Sequence, residues 1–366
     1  MKNKKIRLAG IWILVAVWLG LTAGAWLRPA DAASQTERRP LTQFPELSAS
    51  AMLSGEFTER FEEYTLDQFP LRETFRSAKA LFHRYGLWQK DNNGIYIEDG
   101  CAAQLEYPLN EASVDHALRQ FDRIYKENLQ NSGCTVFAAV VPDKGYYLAE
   151  SNGYPSMDYS RLFSAVREGM PWATHIDLTD CLSAEDYYRT DTHWRQERLF
   201  PVAQKLAAAM GVALPRPDDF TATAVEQPFY GVYYGQAALP LKPDSMQLLK
   251  NDRLDACRVY NQEKGSYAPV YDLDKLQGND LYEVYLSGPQ SLLTIENPSA
   301  GTDRELIVFR DSFGSSLVPL LTEDYARVTL VDIRYINAAF LERYIDFNGQ
   351  DVLFLYSTLV LNSNAI

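Results

Sequence analysis

Four short runs of this chain are apolar along their whole length rather than at every second residue. They are Thr135-Val-Phe-Ala-Ala-Val-Val141, Glu305-Leu-Ile-Val-Phe309, Val328-Thr-Leu-Val331 and Asp351-Val-Leu-Phe-Leu355. A strand that is apolar on both sides of its pleat has to be covered on both faces. A parallel sheet enclosed by helices meets that condition. Stretches with helical spacing separate these runs. From Glu111 to Leu129, the residues Val114, Ala117, Leu118, Phe121, Ile124 and Tyr125 fall on one side, with Asn110 at the N-cap position. Helices are also expected over Asp158–Glu168, Arg195–Met210 (stopped by Gly211), Leu317–Leu321 and Ala338–Tyr344, and one more strand near His175–Leu178. Strands alternating with helices predict an α/β fold with a doubly wound, mainly parallel sheet.

The start of the chain is of another kind. Lys2, Lys4, Lys5 and Arg7 precede a charge-free run from Ile11 to Leu27. Residues 1–30 therefore read as a signal peptide or a transmembrane anchor. The length of the run and the imperfect Ala30-Asp31-Ala32 cleavage site favour the anchor. Either way the rest of the chain is expected outside the cytoplasm, anchored to the membrane by this helix or secreted. Residues 31–53 carry Pro40 and Pro45 and no sustained period, as in an extended linker. Residues 54–366 then form the α/β domain, opening with helices at Phe57–Leu66 and Leu71–Tyr85.

Within that domain, about 212–300 is rich in Tyr, Gly, Pro and Asp and reads as an inserted, loop-rich β segment facing the substrate. Its short β-like runs are Leu281–Leu286 and Ser291–Glu296. Its aromatic residues, among them Tyr233, Tyr260, Tyr267 and Tyr271, are either sugar-stacking platforms or loop packing.

Composition narrows the partners. The net charge is −13, with no basic stripe outside the leader, so nucleic acid is not expected. A hydrophobic share of 46% supplies a sizeable core. The four cysteines, Cys101, Cys134, Cys181 and Cys257, have no Cys-x-x-Cys spacing. A zinc ribbon is thus not expected, while disulfides and buried thiols both remain open. No metal ligand set and no cofactor motif is evident.

Two segments carry chemistry. Asp311-Ser312-Phe313-Gly314 follows an apolar strand and precedes a helix. Ligands of open α/β sheets sit at the carboxyl ends of strands. A serine there exposes its hydroxyl beside the backbone N–H groups of the next helix, which can hold an oxyanion. It is not a G-x-S-x-G elbow, because Arg310 stands where the first Gly would be. Thr190-Asp191-Thr192-His193-Trp194 holds one of only four histidines, two residues from an Asp, at the expected start of a helix. A hydroxyl needs a base to attack at neutral pH, and the base needs an orienting carboxylate. Asp-x-His supplies both. The plainer reading of each segment is a helix cap.

Together these motifs resemble the SGNH hydrolases. The order is reversed from the usual one, with Asp-x-His before the serine. That arrangement is similar to the alginate O-acetyltransferase branch and the related DHHW proteins of bacterial exopolysaccharide clusters. Asp67-Gln68-Phe69-Pro70-Leu71-Arg72, Val141-Pro142-Asp143-Lys144 and Phe309 to Pro319 also match. The resemblance implies an SGNH-like fold with permuted motif order. It implies a serine-dependent acetyl transferase or esterase with Ser312 as nucleophile, His193 as proton carrier and Asp191 orienting His193. Its substrate would be an exported polysaccharide, and its acetyl donor a membrane-bound O-acyltransferase. Thr192 departs from the second position of the DHHW signature, and the Gly and Asn blocks of ordinary SGNH enzymes have no evident counterpart, which leaves the second oxyanion donor unassigned. Lys144, Arg334 and Tyr356 each end or follow a strand and are candidate substrate-binding residues. Their plainer readings are a solvated Lys, a structural ion pair and packing. A carbohydrate acetyl-esterase with the same three residues, and a non-catalytic glycan-binding or scaffold protein, are the alternatives.

Overall fold

The computed structural model describes residues 2–212 and 216–366. These fall into two compact units. One runs to Asn92 and includes Gly235–Pro240; the other comprises Asn93–Tyr234 and Leu241–Ile366.

The first unit begins with a helix, Lys2–Leu27. Its Lys5–Leu27 stretch is long and apolar enough to cross a membrane. The helices Glu56–Asp67 and Arg72–Leu81 follow, and the segment before them is pinned to their junction. The Asp67 carboxylate accepts from both terminal nitrogens of Arg39, at 2.5 and 2.9 Å, and from the Thr42 N–H at 2.9 Å. Gln68 accepts from the Asp31 N–H and donates to the Asp31 and Thr42 carbonyls. Arg72 meets Glu37 at 2.5 Å. The Asp-Gln-Phe-Pro-Leu-Arg motif thus ties an otherwise open arm to a helical corner.

The second unit is built on an eight-stranded sheet, its strands numbered here along the chain. They are β1 (Thr135–Val141), β2 (Thr174–Asp177), β3 (Arg258–Asn261), β4 (Ser266–Ala268), β5 (Leu292–Glu296), β6 (Glu305–Arg310), β7 (Arg327–Val331) and β8 (Asp351–Ser357). Their spatial order is β4-β3-β5-β7-β6-β8-β1-β2. The five strands from β7 to β2 are parallel, and β5, β3 and β4 add antiparallel strands at one edge. The fold is therefore mixed α/β with a large, mainly parallel central sheet. As their composition demands, the parallel strands are buried on both sides. Leu306, Val308, Leu353 and Leu355 join one core with the helix Phe200–Met210. Ile307, Phe309, Val352 and Phe354 join another with the helices Glu111–Ile124 and Tyr159–Gly169. The chain leaves β1 toward β2 and β6 toward β7, in opposite directions across β8. The carboxyl ends of β6, β8 and β1 thus border a topological switch point, where such sheets form their binding crevice.

Several local expectations change. The helix expected from Arg195 begins at Phe200. Before it come a 3-10 turn, Gln196–Arg198, and a loop closed by a Tyr187–Trp194 bridge, so His193 does not sit at the α-helix N-terminus. Leu281–Val284 is a tight 3-10 turn, not a strand. Instead of forming a separate β segment throughout, the inserted region contributes β3, β4 and β5 to the central sheet. All four cysteines are unbridged.

Arg39 holds the Asp67 carboxyl well below the usual carboxylate range. Stability from this group is therefore full above the ordinary carboxylate pKa and is lost as pH falls through the lowered one. Asp67→Asn is expected to cost about 1.5–3 kcal/mol, the usual loss for hydrogen bonds to a charged group. Limited proteolysis should then cut the 31–43 arm faster than in the wild type at neutral pH.

Candidate active site

β6 ends in buried Arg310, and the next residue, Asp311, is also buried. The Asp311 carboxylate fixes the turn that follows. Its Oδ1 accepts from the Phe313 N–H at 3.0 Å, and its Oδ2 from the Ser357 N–H, at the end of β8, at 2.7 Å. Gly314 lets the turn fold back on the strand, since a Cβ there would lie 2.9 Å from Arg310 Cβ. Ser312 is thereby held at the crest of the switch point, half-buried. Beneath it the Arg310 guanidinium donates to the Asp311 carbonyl and to Ser315 Oγ. Its Nε and Nη2 have no partner among the described residues, and burial lowers its pKa. A buried cation at this position favours negative charge on the turn above.

The second loop is shaped from below. Thr190 Oγ1 donates to Asp244 and accepts from the Gly231 N–H at 2.9 Å. Asp191 Oδ2 accepts from the Val232 N–H at 2.9 Å. Its Oδ1 accepts from the His193 N–H at 3.0 Å and faces His193 Nδ1 at 2.6 Å. A carboxylate can only accept here, so Nδ1 carries the proton and Nε2 is left as an acceptor. His193 Nε2 lies 2.8 Å from Ser312 Oγ, across 119 residues of sequence. The three expected residues therefore stand in one hydrogen-bonded line.

Three side chains join the two loops. Trp194 Nε1 donates to the Phe313 carbonyl at 3.1 Å and to Ser316 Oγ at 3.0 Å. Gln196 donates to the Ser316 carbonyl at 3.0 Å. Tyr282 lies flat on the His193 ring, with centroids 3.8 Å apart and planes 8° apart. Its hydroxyl bonds Ser316 Oγ at 2.9 Å and donates to the Ser312 carbonyl at 3.3 Å. Tyr282 thus fixes both the imidazole plane and the serine turn, and sequence reasoning missed it. One Tyr among many in a loop-rich stretch gives no signal, and the expected strand at 281–286 would have aimed it differently. Gly231 was missed too: its need for smallness arises only where two distant backbones meet. Trp194 did carry a signal, as the last letter of Asp-Thr-His-Trp.

The expected oxyanion donors change. The N–H groups of Phe313, Gly314 and Ser315 are taken by Asp311 Oδ1, the Asp311 carbonyl and the Ser312 carbonyl. The Ser312 N–H itself has no acceptor among the described residues, which makes it the free donor beside the hydroxyl.

The three candidate substrate-binding residues are engaged elsewhere. Lys144 is buried, donates to the Ala102 and Tyr188 carbonyls, and lies under the Tyr233 ring. It props the His193 loop, where Tyr188 N–H bonds the His193 carbonyl, instead of offering a free cation to a sugar. Arg334 is held by Asp332 through two bonds, at 2.8 and 2.6 Å. Tyr356 is buried against Phe121, and burial raises its pKa well above the ordinary value. Among the described residues no group of His, Cys, Asp and Glu is placed to hold a metal.

Comparison with known proteins finds relatives by sequence and by fold. The family described as DHHW protein matches residues 178–331, a span that contains both loops. The probable alginate O-acetylase AlgJ of Pseudomonas syringae pv. tomato is 27% identical over 266 residues, 66% of this chain and 64% of that protein. The chain thus aligns with somewhat less than two thirds of that relative's length. A DHHW family protein from Eubacterium siraeum has a similar fold, with a TM-score of 0.60 at 20% identity over 75% of this chain and 94% of that one. Bacillus cereus PatB1, solved with a sulfonyl adduct, gives a TM-score of 0.57 at 19% identity over 74% and 97%. The resemblance to the DHHW and alginate O-acetylase proteins read from the sequence is borne out.

A Cβ on Gly231 would fall 2.2 Å from Asp191 Cβ and 2.3 Å from its Cα. Gly231→Ala should therefore push the Asp191 loop away and lower stability by about 1–3 kcal/mol, the usual cost of overpacking. Urea denaturation measures the loss. A proton spectrum should also lose the low-field signal of the His193 Nδ1–H.

Proposed function

We propose that this relative of the DHHW and alginate O-acetylase proteins is an extracytoplasmic O-acetyltransferase that acetylates an exported polysaccharide through an acetyl-Ser312 intermediate. The observation that carries this reading is the unbroken line from Asp191 through His193 to Ser312, at 2.6 and 2.8 Å. Those separations lie within the reach required of a working base and nucleophile. Similarity to an alginate O-acetylase supports the substrate class. The exposed apolar helix supports action at the outer face of a membrane.

The chemistry follows from the positions of these atoms. Ser312 Oγ attacks the carbonyl carbon of an acetyl donor while its proton passes to His193 Nε2. Asp191 holds Nδ1–H and stabilises the imidazolium. Negative charge on the carbonyl oxygen is met by the Ser312 N–H, with the buried Arg310 cation beneath. The intermediate collapses, the donor's leaving group takes the proton from His193, and acetyl-Ser312 remains. A sugar hydroxyl then attacks the acetyl carbon and gives its proton to His193. The second intermediate collapses with Ser312 as leaving group, and His193 returns the proton to Oγ. Acetyl-CoA is not present outside the cell, so the donor is proposed to be an acetyl group delivered across the membrane by a membrane-bound O-acyltransferase. Water in place of the sugar would make the same site an acetyl-esterase.

Ser312→Ala should lower acetyl release from a chromogenic ester by about a thousandfold or more, leaving circular dichroism unchanged. Unchanged turnover in that variant would end the proposal. With polysaccharide added to the wild type, acetylated polymer is expected; faster acetate release alone would point to an esterase.

The Tyr282 contacts predict a graded series. Tyr282→Phe keeps the ring stack and loses only the hydroxyl bonds, so kcat should fall about fivefold, the equivalent of roughly 1 kcal/mol. Tyr282→Leu also frees the imidazole, and kcat should fall on the order of a hundredfold with KM little changed. Steady-state kinetics on the chromogenic ester separates the two.

A further inference from the structure

The edge of the sheet opposite Ser312 carries a cavity of about 880 Å³. It lies at the amino ends of β6, β7 and β8. The strand from Glu305 to Arg310 advances five residues, or about 16 Å at ~3.3 Å per residue, before the turn that carries Ser312. The cavity is therefore not part of the site described above.

Its floor is one face of the sheet, and the strand register orders it. Tyr267 pairs with Tyr260, Tyr260 with Thr294, Thr294 with Thr329, and Thr329 with Ile307. These five side chains form a row across β4, β3, β5, β7 and β6. At ~4.8 Å between strands the row is about 19 Å long. It begins with two tyrosine rings, 5.1 Å apart, and continues with two hydroxyls. Tyr267 is half exposed, and so is Tyr344 on the facing wall.

The cations beside the row are all paired. Arg258, Glu296, Arg327 and Glu305 are also in register across the strands. Arg258 pairs with Glu296 and Arg327 with Glu305, each at 3.2 Å. Arg304, the other cation of the lining, is held by Asp351 at 2.6 Å. No lining cation is thus left over for a carboxylate or phosphate, while Asp303 and Asp346 add negative charge to the wall. Aromatic rings, hydroxyls and an excess of acids over cations suit a ligand that is flat and apolar on its ring faces, rich in hydroxyls on its edges, and without negative charge.

We infer that this groove binds a neutral glycan chain, holding polymer at a distance from Ser312. This goes beyond the proposed acetyl transfer and does not require it. The test is equilibrium binding of the full chain, in detergent, to an array of neutral and uronic-acid oligosaccharides, with titration of the neutral glycans retained. Neutral glycans should bind, and Tyr267→Ala and Tyr344→Ala should each weaken that binding on the order of tenfold. Both variants should hydrolyse the chromogenic ester as the wild type does, which shows that they are folded and separates this inference from the fate of Ser312. The inference is overturned if no neutral glycan is retained, if uronic-acid chains bind more tightly, or if both variants bind as the wild type. Sedimentation showing a dimer that Tyr267→Ala converts to monomer would overturn it as well, by assigning the face to a second copy.

Discussion

The hydrogen bonds from Trp194 to the Phe313 carbonyl and Ser316 Oγ hold together what the chain keeps far apart. They tie the His193 loop to the Ser312 turn through side chains buried between them. The indole N–H is buried and must find an acceptor, and the acceptors available lie on the turn that presents Ser312. Gln196 and Tyr282 repeat the constraint at Ser316 and on the imidazole ring. A line of three side chains is sensitive to shifts of about 1 Å, and this network is what limits such shifts.

The same logic explains the expense around the site. Arg310, Asp311 and Lys144 are charged residues with almost no exposure. Burying such groups is costly unless each is well bonded. Asp311 is satisfied by two backbone N–H groups that belong to different strand ends. Lys144 is satisfied by two carbonyls beneath the His193 loop. Their cost is met by backbone order at the one place where two loops must be positioned. Arg310 is the exception, with part of its guanidinium unpartnered directly under the turn of Ser312. Its placement is consistent with a site where negative charge develops.

Much of the scaffold was legible because apolar runs respond to a simple rule. β1, β6, β7 and β8 had no polar side to expose, and each lies within the parallel region of the central sheet. Asn110 and Gly211 marked helix ends by their own chemistry, as cap acceptor and as left-handed residue. The failures lie where the pattern is short or ambiguous. Leu281–Val284 is apolar enough for a strand yet turns, because Asp280 caps it. The helix expected at Arg195 starts late, because the Tyr187–Trp194 bridge and the bonds of the Gln196 side chain hold the residues before it, and only a short 3-10 turn, Gln196–Arg198, leads into it. Lys144 read as a cation near a strand end, and no local pattern announced the carbonyls that bury it.

By itself the sequence determined the parallel strands of the sheet, the apolar first helix and the residue types able to move a proton, since these depend on periodicity and on side-chain chemistry within a few residues. It also paired the two motifs that the fold brings together, through a resemblance carried by Asp-Thr-His-Trp and Asp-Ser. Only the tertiary structure decided that an imidazole and a hydroxyl 119 residues apart stand 2.8 Å from each other. It alone put Tyr282 on that imidazole and Gly231 against Asp191, and left the Ser312 N–H as the free donor. Those facts depend on which backbone groups are already bonded and on which strands lie side by side, and neither is written in any local stretch of the chain.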